Sequence, residues 1–417
     1  MAGSGGADPA SRRLTQALFC GGVATFSELY AVQAVLPAVA AQFRLSVAQA
    51  SLSVSVATGA LALSVLPWAA LADRIGRGRA MRISVVTAAV CGVLVPFSPS
   101  FTVLLLLRAI SGLALGAVPA LAMAHLVEQT AARRVAAVAG VYVAGTTIGG
   151  LIGRVLAGVV AGGLGWRWGL AVVGVLVAVA AAAMVVLMPR SVRPREPLGR
   201  TGDGSDGAVP SVPPTGPPAP GRIRAALRDD TAWVFYLQAF LLMGAFVTLY
   251  NLLGFRLIRA PYDLPPAVVS LLFLSYLTGT VGSSVVGRLV ARTGRRRLLV
   301  AAGAGMAAGA LVMLAAPLAL VIAGLLLATF CFFVAHAVAS SWAGQQVPHA
   351  RSQASALYSL AYYAGSSAVG LLGGWIFARA GWWAAVLLIA GCAGTAAALA
   401  AWRAPRDPVP RSVSTLR

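Results

Sequence analysis

The chain of 417 residues carries one acidic side chain in the middle of a long apolar segment, at Glu28. An ionised carboxylate in such surroundings costs several kcal/mol unless a cation pairs with it. Glu28 is therefore predicted to carry a proton or to contact a cationic substrate. The alternative is a structural carboxylate that stays permanently paired inside the protein.

Two arginines, Arg108 and Arg154, also fall inside apolar segments, where a cation must face a cavity or a counter-charge. We predict that Arg108 sets the charge and protonation state of Glu28, with Arg154 as a second candidate partner. The alternative for Arg108 is a position near the outer interface. Two buried cations against one acid also suggest an anion site or a switchable pair. Glycines spaced four residues apart beside both arginines favour close helix packing.

Polar and aromatic side chains in several apolar segments form a predicted substrate cavity, because hydroxyl, amide and ring groups contact polar or aromatic ligands. The predicted members are Tyr30, Gln33, Tyr250, Asn251, Tyr276, His336, Tyr358 and Tyr362. His336 could also relay protons, since histidine titrates near neutral pH. The alternative is a neutral histidine that hydrogen-bonds between helices.

The elements that hold these side chains are predicted to be membrane helices. Hydrophobic residues make up 59% of the chain and charged residues 10%, which is more apolar side chain than a soluble fold can bury. The net charge of +21 comes from arginines that gather between apolar segments, which argues against nucleic-acid binding. A bilayer span needs about 20 apolar residues. We predict twelve spans: Ala17–Val39, Leu52–Leu71, Met81–Phe97, Thr102–Ala124, Val135–Val160, Trp168–Met188, Trp233–Leu253, Ala267–Val286, Leu298–Ala316, Leu318–Ala339, Ser355–Ala378 and Trp383–Trp402.

A short charged hinge after the second span recurs about 218 residues later. The predicted gating residues in the two copies are Asp73, Arg74, Gly76, Arg77, Gly287, Gly294 and Arg295. Ala291 replaces the acid in the second copy. Other segments repeat at similar offsets, with Gly149 matched to Gly365. The pattern predicts a duplicated, all-α architecture of two pseudo-symmetric six-helix bundles, with substrate bound between them.

The repeat and the arginine distribution divide and orient the chain. We predict an N-terminal tail (1–13), an N-terminal six-helix bundle (14–190), a flexible Pro/Gly-rich linker (191–230), a C-terminal six-helix bundle (231–402) and a C-terminal tail (403–417). Most arginines fall on one side of these spans, and cytoplasmic loops are rich in Arg and Lys. Both termini, the hinge and the linker are therefore predicted to be cytoplasmic.

Asp73-Arg74-Ile75-Gly76-Arg77 resembles the signature loop of the major facilitator superfamily, although Ala69 stands where the family has Gly. Glu28, Arg108 and the glycines after Arg108 resemble motifs of its drug:proton antiporters, whereas Gly150 stands where their fifth-span motif has Pro. The closer resemblance is to the YnfM-type branch of bacterial inner-membrane efflux proteins. It implies a twelve-helix carrier, usually monomeric, with a central cavity lined mainly by spans 1, 4, 7 and 10.

The chain has no Walker A motif, Ser/His/Asp pattern, HExxH or CxxC pair, so we expect no enzyme activity, metal or cofactor, and a proton gradient as energy source. The predicted function is proton-coupled efflux of a small molecule, such as a drug, sugar or metabolite, by alternating access. The alternatives are proton-coupled uptake and, in another class, a non-transporting membrane sensor. The expected partners are a small-molecule substrate, protons and the lipid bilayer of the bacterial inner membrane.

Overall fold

The computed structural model describes residues 9–130, 132–189, 220–347 and 350–405, and every regular element in these ranges is a helix. The α-helices are α1 (Pro9–Tyr30), α2 (Leu36–Phe43), α3 (Val47–Ile75), α4 (Arg77–Leu94), α5 (Phe101–Leu115), α6 (Ala117–Gln129), α7 (Ala132–Leu164), α8 (Trp166–Leu187), α9 (Pro220–Arg228), α10 (Ala232–Leu257), α11 (Pro266–Leu271), α12 (Tyr276–Thr293), α13 (Arg295–Val312), α14 (Leu318–Gln346) and α15 (Arg351–Arg403). Three short 3₁₀ segments connect some of them: Ala31–Val35, Val95–Phe97 and Leu272–Ser275.

Ten helical segments of the described residues are long and apolar enough to cross a membrane. Two features explain why this number is ten and not the twelve predicted spans. Helix α13 has 18 residues and begins with three arginines, which makes it too charged to count. The last two predicted spans form the 53-residue helix α15, in which Gly381 alone has a non-helical backbone (φ 77°, ψ −167°).

The first membrane segment is bent where α1 passes through the 3₁₀ segment Ala31–Val35 into α2. Pro37 causes part of this bend, since proline lacks an N–H group and its ring clashes with the carbonyl four residues earlier. Where an α-helix tightens into a 3₁₀ turn, carbonyls at its end lose their usual partners. The carbonyls of Glu28 and Leu29 lie at this position.

The backbone conformation itself repeats along the chain. Six described residues have a positive φ angle, and they form three pairs separated by 216 to 219 residues. The pairs are Gly76 with Gly294 (89° and 80°), Gly165 with Gly381 (88° and 77°), and Arg44 with Asp263 (53° and 44°). L-residues rarely adopt this region, so the coincidence marks two copies of one structural unit. We call the side of the molecule with Gly76 and Gly294 the hinge side, and the side with Gly165 and Gly381 the far side.

Glycines allow the same close helix contact in both copies. A Cβ at Gly145 would lie within 2.5 Å of the Phe19 carbonyl, so α7 touches the backbone of α1. A Cβ at Gly365 of α15 would likewise collide with the Phe240 carbonyl of α10. Gly149, one turn along α7 from Gly145, approaches the α1 backbone in the same way. Gly149 and Gly365 lie equally far before the positive-φ glycines that follow them in their copies, which agrees with the sequence match of the two.

Replacing Gly145 with alanine is expected to destabilise the protein by about 1–3 kcal/mol, because the added methyl group would push α7 away from the α1 backbone. Gly140 lies on the same helix with open space around its Cβ position, so Gly140→Ala serves as the matched control. That change should be neutral or stabilising by up to about 1 kcal/mol. Thermal unfolding of the purified variants in detergent compares the two. Equal stability of both variants would contradict the close α1–α7 contact.

Part of the predicted linker is helical. Residues 190–219 lie outside the described residues, but Pro220–Arg228 forms α9, rich in the good helix formers Ala, Leu and Arg. Ala226 is fully buried there, and its carbonyl accepts a hydrogen bond of 3.3 Å from the Tyr236 hydroxyl. Leu357 of α15 belongs to the same apolar cluster. The predicted linker therefore ends in a helix, Pro220–Arg228, that packs against the helical part of the protein.

Candidate functional site

Glu28 and Arg108 form a buried ion pair, as the sequence predicted. Arg108 Nη1 lies 3.1 Å from Glu28 Oε1, and the exposed fractions of the two residues are 2% and 5%. The Ser111 hydroxyl, one turn along α5 from Arg108, donates a second hydrogen bond of 3.0 Å to the same oxygen. The carboxylate thus has a cationic and a neutral donor, which offsets part of the cost of its burial.

Arg108 is held by more than the carboxylate. Its guanidinium also donates to the carbonyls of Glu28 (2.8 Å) and Leu29 (2.5 Å) on α1, and to the Ser53 carbonyl (3.0 Å) on α3. The α1 carbonyls are available because the helix tightens at this point, and a helix C-terminus favours a cation. Arg108 therefore stays anchored to three backbone groups whether Glu28 is charged or neutral.

The second oxygen of Glu28 faces away from the arginine. It lies against Gly92 of α4, where a side chain would collide with it. A cavity of about 10 Å³ adjoins it, lined by Glu28, Arg108, Gly92 and apolar residues of the neighbouring helices. A cavity of this volume is at the lower limit for holding one water molecule.

Arg154 does not contact Glu28, contrary to its prediction as a second candidate partner. Its Nε donates to Gln33 Oε1 (2.7 Å) and its Nη1 to the Gly150 carbonyl (2.6 Å). The guanidinium carbon lies 4.4 Å from the ring centre of Tyr30 and 4.8 Å from that of Tyr276. A nearby amide and aromatic faces surround this arginine, so the two buried cations occupy separate environments.

Gln33 and Asn251 connect the two copies of the repeat. Gln33 Nε2 donates to Asn251 Oδ1 over 2.6 Å, although 218 residues separate the two side chains. With the Arg154 bond to Gln33, they form a continuous chain of polar groups from α7 through the first membrane segment to α10. Arg154, which was predicted for proton coupling, therefore lies next to Gln33 and Asn251 of the predicted cavity, at the contact between the two copies.

Tyrosine and phenylalanine rings extend this central site. The Tyr250 hydroxyl shares hydrogen bonds with Ser275 (2.5 Å) and Thr329 (2.7 Å), and its ring centre lies 5.0 Å from that of Tyr276. Both tyrosines pack on Phe246. The site is thus lined by aromatic faces around a few fixed polar groups, as is usual for small-molecule sites.

His336, Tyr358 and Tyr362 form a separate group on α14 and α15. The Tyr358 hydroxyl lies 3.0 Å from His336 Nδ1, and the Tyr362 ring centre is 4.9 Å from that of the imidazole. Phe332 stacks on His336 and on Phe246, so the group joins the central rings. The structure therefore brings the predicted cavity residues together, while Glu28 and Arg108 lie apart inside the N-terminal copy.

The hinge copies make matching contacts that the sequence analysis missed. Arg77 pairs with Glu128 at the end of α6, and Arg295 donates to Gln345 Oε1 (2.7 Å) near the end of α14. Each contact links the helix after the hinge to the fourth span of its copy. The sequence contained a signal for these contacts, because Glu128 and Gln345 are separated by about as many residues as the two hinge copies.

The other hinge residues have mostly conformational roles. Gly76 and Gly294 supply the positive φ of the turns, and Gly287 has open space around it. Asp73 and Arg74 are exposed, and within the described ranges Asp73 forms no ion pair. The ion pair of this hinge is instead formed by Arg77 with Glu128.

A helical, multi-spanning membrane protein with an internally repeated backbone and polar groups buried between the repeats has the architecture of a membrane carrier. The family model of the Major Facilitator Superfamily matches residues 18–271 and 257–417. The chain belongs to this superfamily, whose members are transporters rather than enzymes.

Two bacterial relatives cover most of the chain. The uncharacterized MFS-type transporter YybF of Bacillus subtilis (strain 168) is 35% identical over 91% of this chain and 91% of its own length. The inner membrane transport protein YnfM of Escherichia coli (strain K12) is 37% identical over 90% of this chain and 86% of its own. These similarities confirm the family and support secondary transport of small molecules.

A solved structure shares the fold. The bacterial homologue of the human lysosomal transporter Spinster, in an inward-facing and unoccupied conformation, superposes with a TM-score of 0.71. The alignment covers 96% of each chain at 17% identity. At this identity the likeness concerns the fold alone.

Proposed function

We propose that the protein is a proton-driven exporter of a small molecule, built from twelve spans in two six-helix bundles. The ten apolar segments, α13 and the break of α15 at Gly381 support this number. The three pairs of positive-φ residues support the two bundles. In this reading both termini and the hinge side are cytoplasmic, as the arginine distribution indicates.

Proton coupling is assigned to Glu28. The observation that carries the assignment is a deeply buried carboxylate with one oxygen bound by Arg108 and Ser111 and the other beside a water-sized cavity. Protonation would remove the charge of Glu28 but leave Arg108 on its three carbonyls. The site can therefore change charge without losing its framework, which suits a proton carrier.

The contacts between the copies support transport by alternating access. They lie from the middle of the helices to the far side: Gly162 meets Ala267, Gly254 meets Pro37, and the Ser367 hydroxyl donates to the Ser55 carbonyl over 2.7 Å. These contacts close the far side. In the proposed cycle Glu28 loses its proton towards the cytoplasm and favours substrate binding, and it is reprotonated when the carrier opens outward.

A screen on reconstituted vesicles tests this function. With the hinge side facing outward, an exported substrate should cause proton release that a pH-sensitive dye detects, and it should accumulate inside the vesicles when their lumen is acidic. Movement of protons in the same direction as substrate would instead identify uptake by symport. Substrate transport that neither moves protons nor responds to a pH gradient would contradict the proposal.

A further inference from the structure

Arg154 is a buried cation without a counter-charge in the part of the chain that the structure describes. Its exposed fraction is 2%, the same as that of Arg108, which pairs with Glu28. Aromatic faces and one amide replace a carboxylate around it. A buried charge of this kind costs several kcal/mol unless a partner of opposite charge compensates it.

The polar chain that starts at Arg154 has a fixed direction. A guanidinium only donates, so Gln33 must present its oxygen to Arg154 and its NH₂ group to Asn251. Asn251 must then accept with Oδ1, which leaves its own NH₂ group as the end of the chain. That nitrogen is buried and has no hydrogen-bond partner. Because Arg154 can only donate, the chain of hydrogen bonds ends in the C-terminal copy at an NH₂ group of Asn251 that has no acceptor.

Further unfilled polar groups lie next to this donor. A Cβ at Gly370 would lie 3.4 Å from Ser55 Oγ and 3.6 Å from Asn251 Nδ2, and both atoms lack partners. The hydroxyls of Tyr30 and Ser366 lie near each other without a regular hydrogen bond and are also unfilled. All four residues are less than 5% exposed. Buried polar groups are normally satisfied, so unfilled groups at both ends of the polar chain, Tyr30 beside the cation and Ser55 near Asn251, point to a missing ligand.

We propose that Arg154, Tyr30 and Asn251 bind the acidic group of an organic anion, a carboxylate attached to an apolar, preferably aromatic body. The unfilled groups are one cation and several donors, so the matching ligand is negative and rich in acceptors. The rings of Tyr276 and Phe273, which face Arg154, would cover its body. This inference rests on the proposed transport function and specifies its class of substrate.

Three compounds of nearly identical shape test the charge requirement on the intact protein. Benzoate, benzamide and benzamidinium carry charges of −1, 0 and +1 on the same ring. Benzoate should bind at least about tenfold more tightly than benzamide, as expected for charge-assisted hydrogen bonds, and benzamidinium should not bind. Acetate, which lacks the ring, should bind more weakly than benzoate. Calorimetric titration in carboxylate-free buffer measures all four. Equal affinity for benzoate and benzamide, or for benzoate and acetate, would overturn the proposal.

Variants then locate the site. Arg154→Gln should reduce benzoate affinity about tenfold, to the level of benzamide, and Tyr30→Phe should weaken it several-fold while keeping the ring that stacks on Arg154. Arg167→Gln is the matched control, since Arg167 also stacks on a ring, that of Trp166 at 4.5 Å, but lies on the far side. Unchanged benzoate binding in Arg154→Gln, or an equal loss in Arg167→Gln, would refute the assignment. Proton-coupled transport of other substrates without benzoate binding would refute this inference alone.

Discussion

Replacing Glu28 with glutamine should abolish proton-driven accumulation of substrate while the protein still folds and reaches the membrane. Glutamine has the shape of the protonated acid and can still accept from Arg108 and Ser111, but it cannot release a proton. For one proton per substrate, a pH difference of about one unit sustains about a tenfold concentration ratio. In the Glu28→Gln variant this ratio should fall to about one, whereas exchange of labelled substrate without a gradient should continue at substrate concentrations that compensate for the lower affinity of the protonated form. Accumulation and exchange in proteoliposomes measure the two effects separately.

Asp263→Asn provides the matched acid-to-amide control. Asp263 lies in a loop on the far side with a φ of 44°, a conformation that asparagine also tolerates. This variant should retain the full accumulation ratio. If Glu28→Gln still accumulated substrate in proportion to the imposed pH gradient, Glu28 would be a structural carboxylate only. Loss of both accumulation and exchange would indicate a damaged fold rather than lost coupling.

The pairing of Glu28 with Arg108 could be predicted from the sequence, because few charges lie within apolar segments and each must find a partner. The rest of this site could not be predicted. The carbonyls that hold Arg108 are available only because α1 tightens before Pro37. Sequence patterns show that proline bends a helix but not which neighbouring side chain receives the freed carbonyls.

The central site was likewise predictable only in part. Gln33 and Asn251 were both predicted to line the cavity, but their contact joins residues 218 positions apart and depends on how the copies close. Arg154 was predicted as a second candidate partner of Glu28 because charge was the criterion. In the structure an amide and aromatic faces lie closer, and such contacts give no simple sequence signal.

The structure also shows how the two sites can communicate. Glu28 and Leu29 hold Arg108 through their carbonyls, while Tyr30 and Gln33, within the next turn, contact Arg154. The bend that ends α1 therefore belongs to both sites. A change in the charge of Glu28 that shifts this bend would move the Tyr30 ring and the Gln33 amide together. In the proposed cycle this shared bend would link the protonation of Glu28 to the contacts of Tyr30 and Gln33 with Arg154.

Removing Arg108 should have the largest effect on stability. Arg108→Gln would leave a buried carboxylate with one donor, together with three backbone carbonyls that lose their arginine. Breaking a buried pair from one side costs about 3–5 kcal/mol, and each orphaned acceptor adds about 1–3 kcal/mol unless water replaces the donor. The free energy of unfolding should therefore fall by at least about 3 kcal/mol. Thermal unfolding in detergent, with the yield of membrane-inserted protein, measures this loss.

The double variant Glu28→Gln/Arg108→Gln separates the two roles of the arginine. If Arg108 only neutralised Glu28, removing both charges would restore most of the stability. Because the carbonyls of Glu28, Leu29 and Ser53 would still lack the guanidinium, we expect the double variant to remain clearly less stable than Glu28→Gln alone. Arg167→Gln, which removes one carbonyl bond of 2.9 Å from a half-buried site, should cost about 1 kcal/mol. If the double variant were as stable as Glu28→Gln alone, the hydrogen bonds from Arg108 to the three carbonyls would contribute little to stability. The proposed proton cycle would then be contradicted, because it requires those bonds to hold Arg108 when Glu28 is neutral.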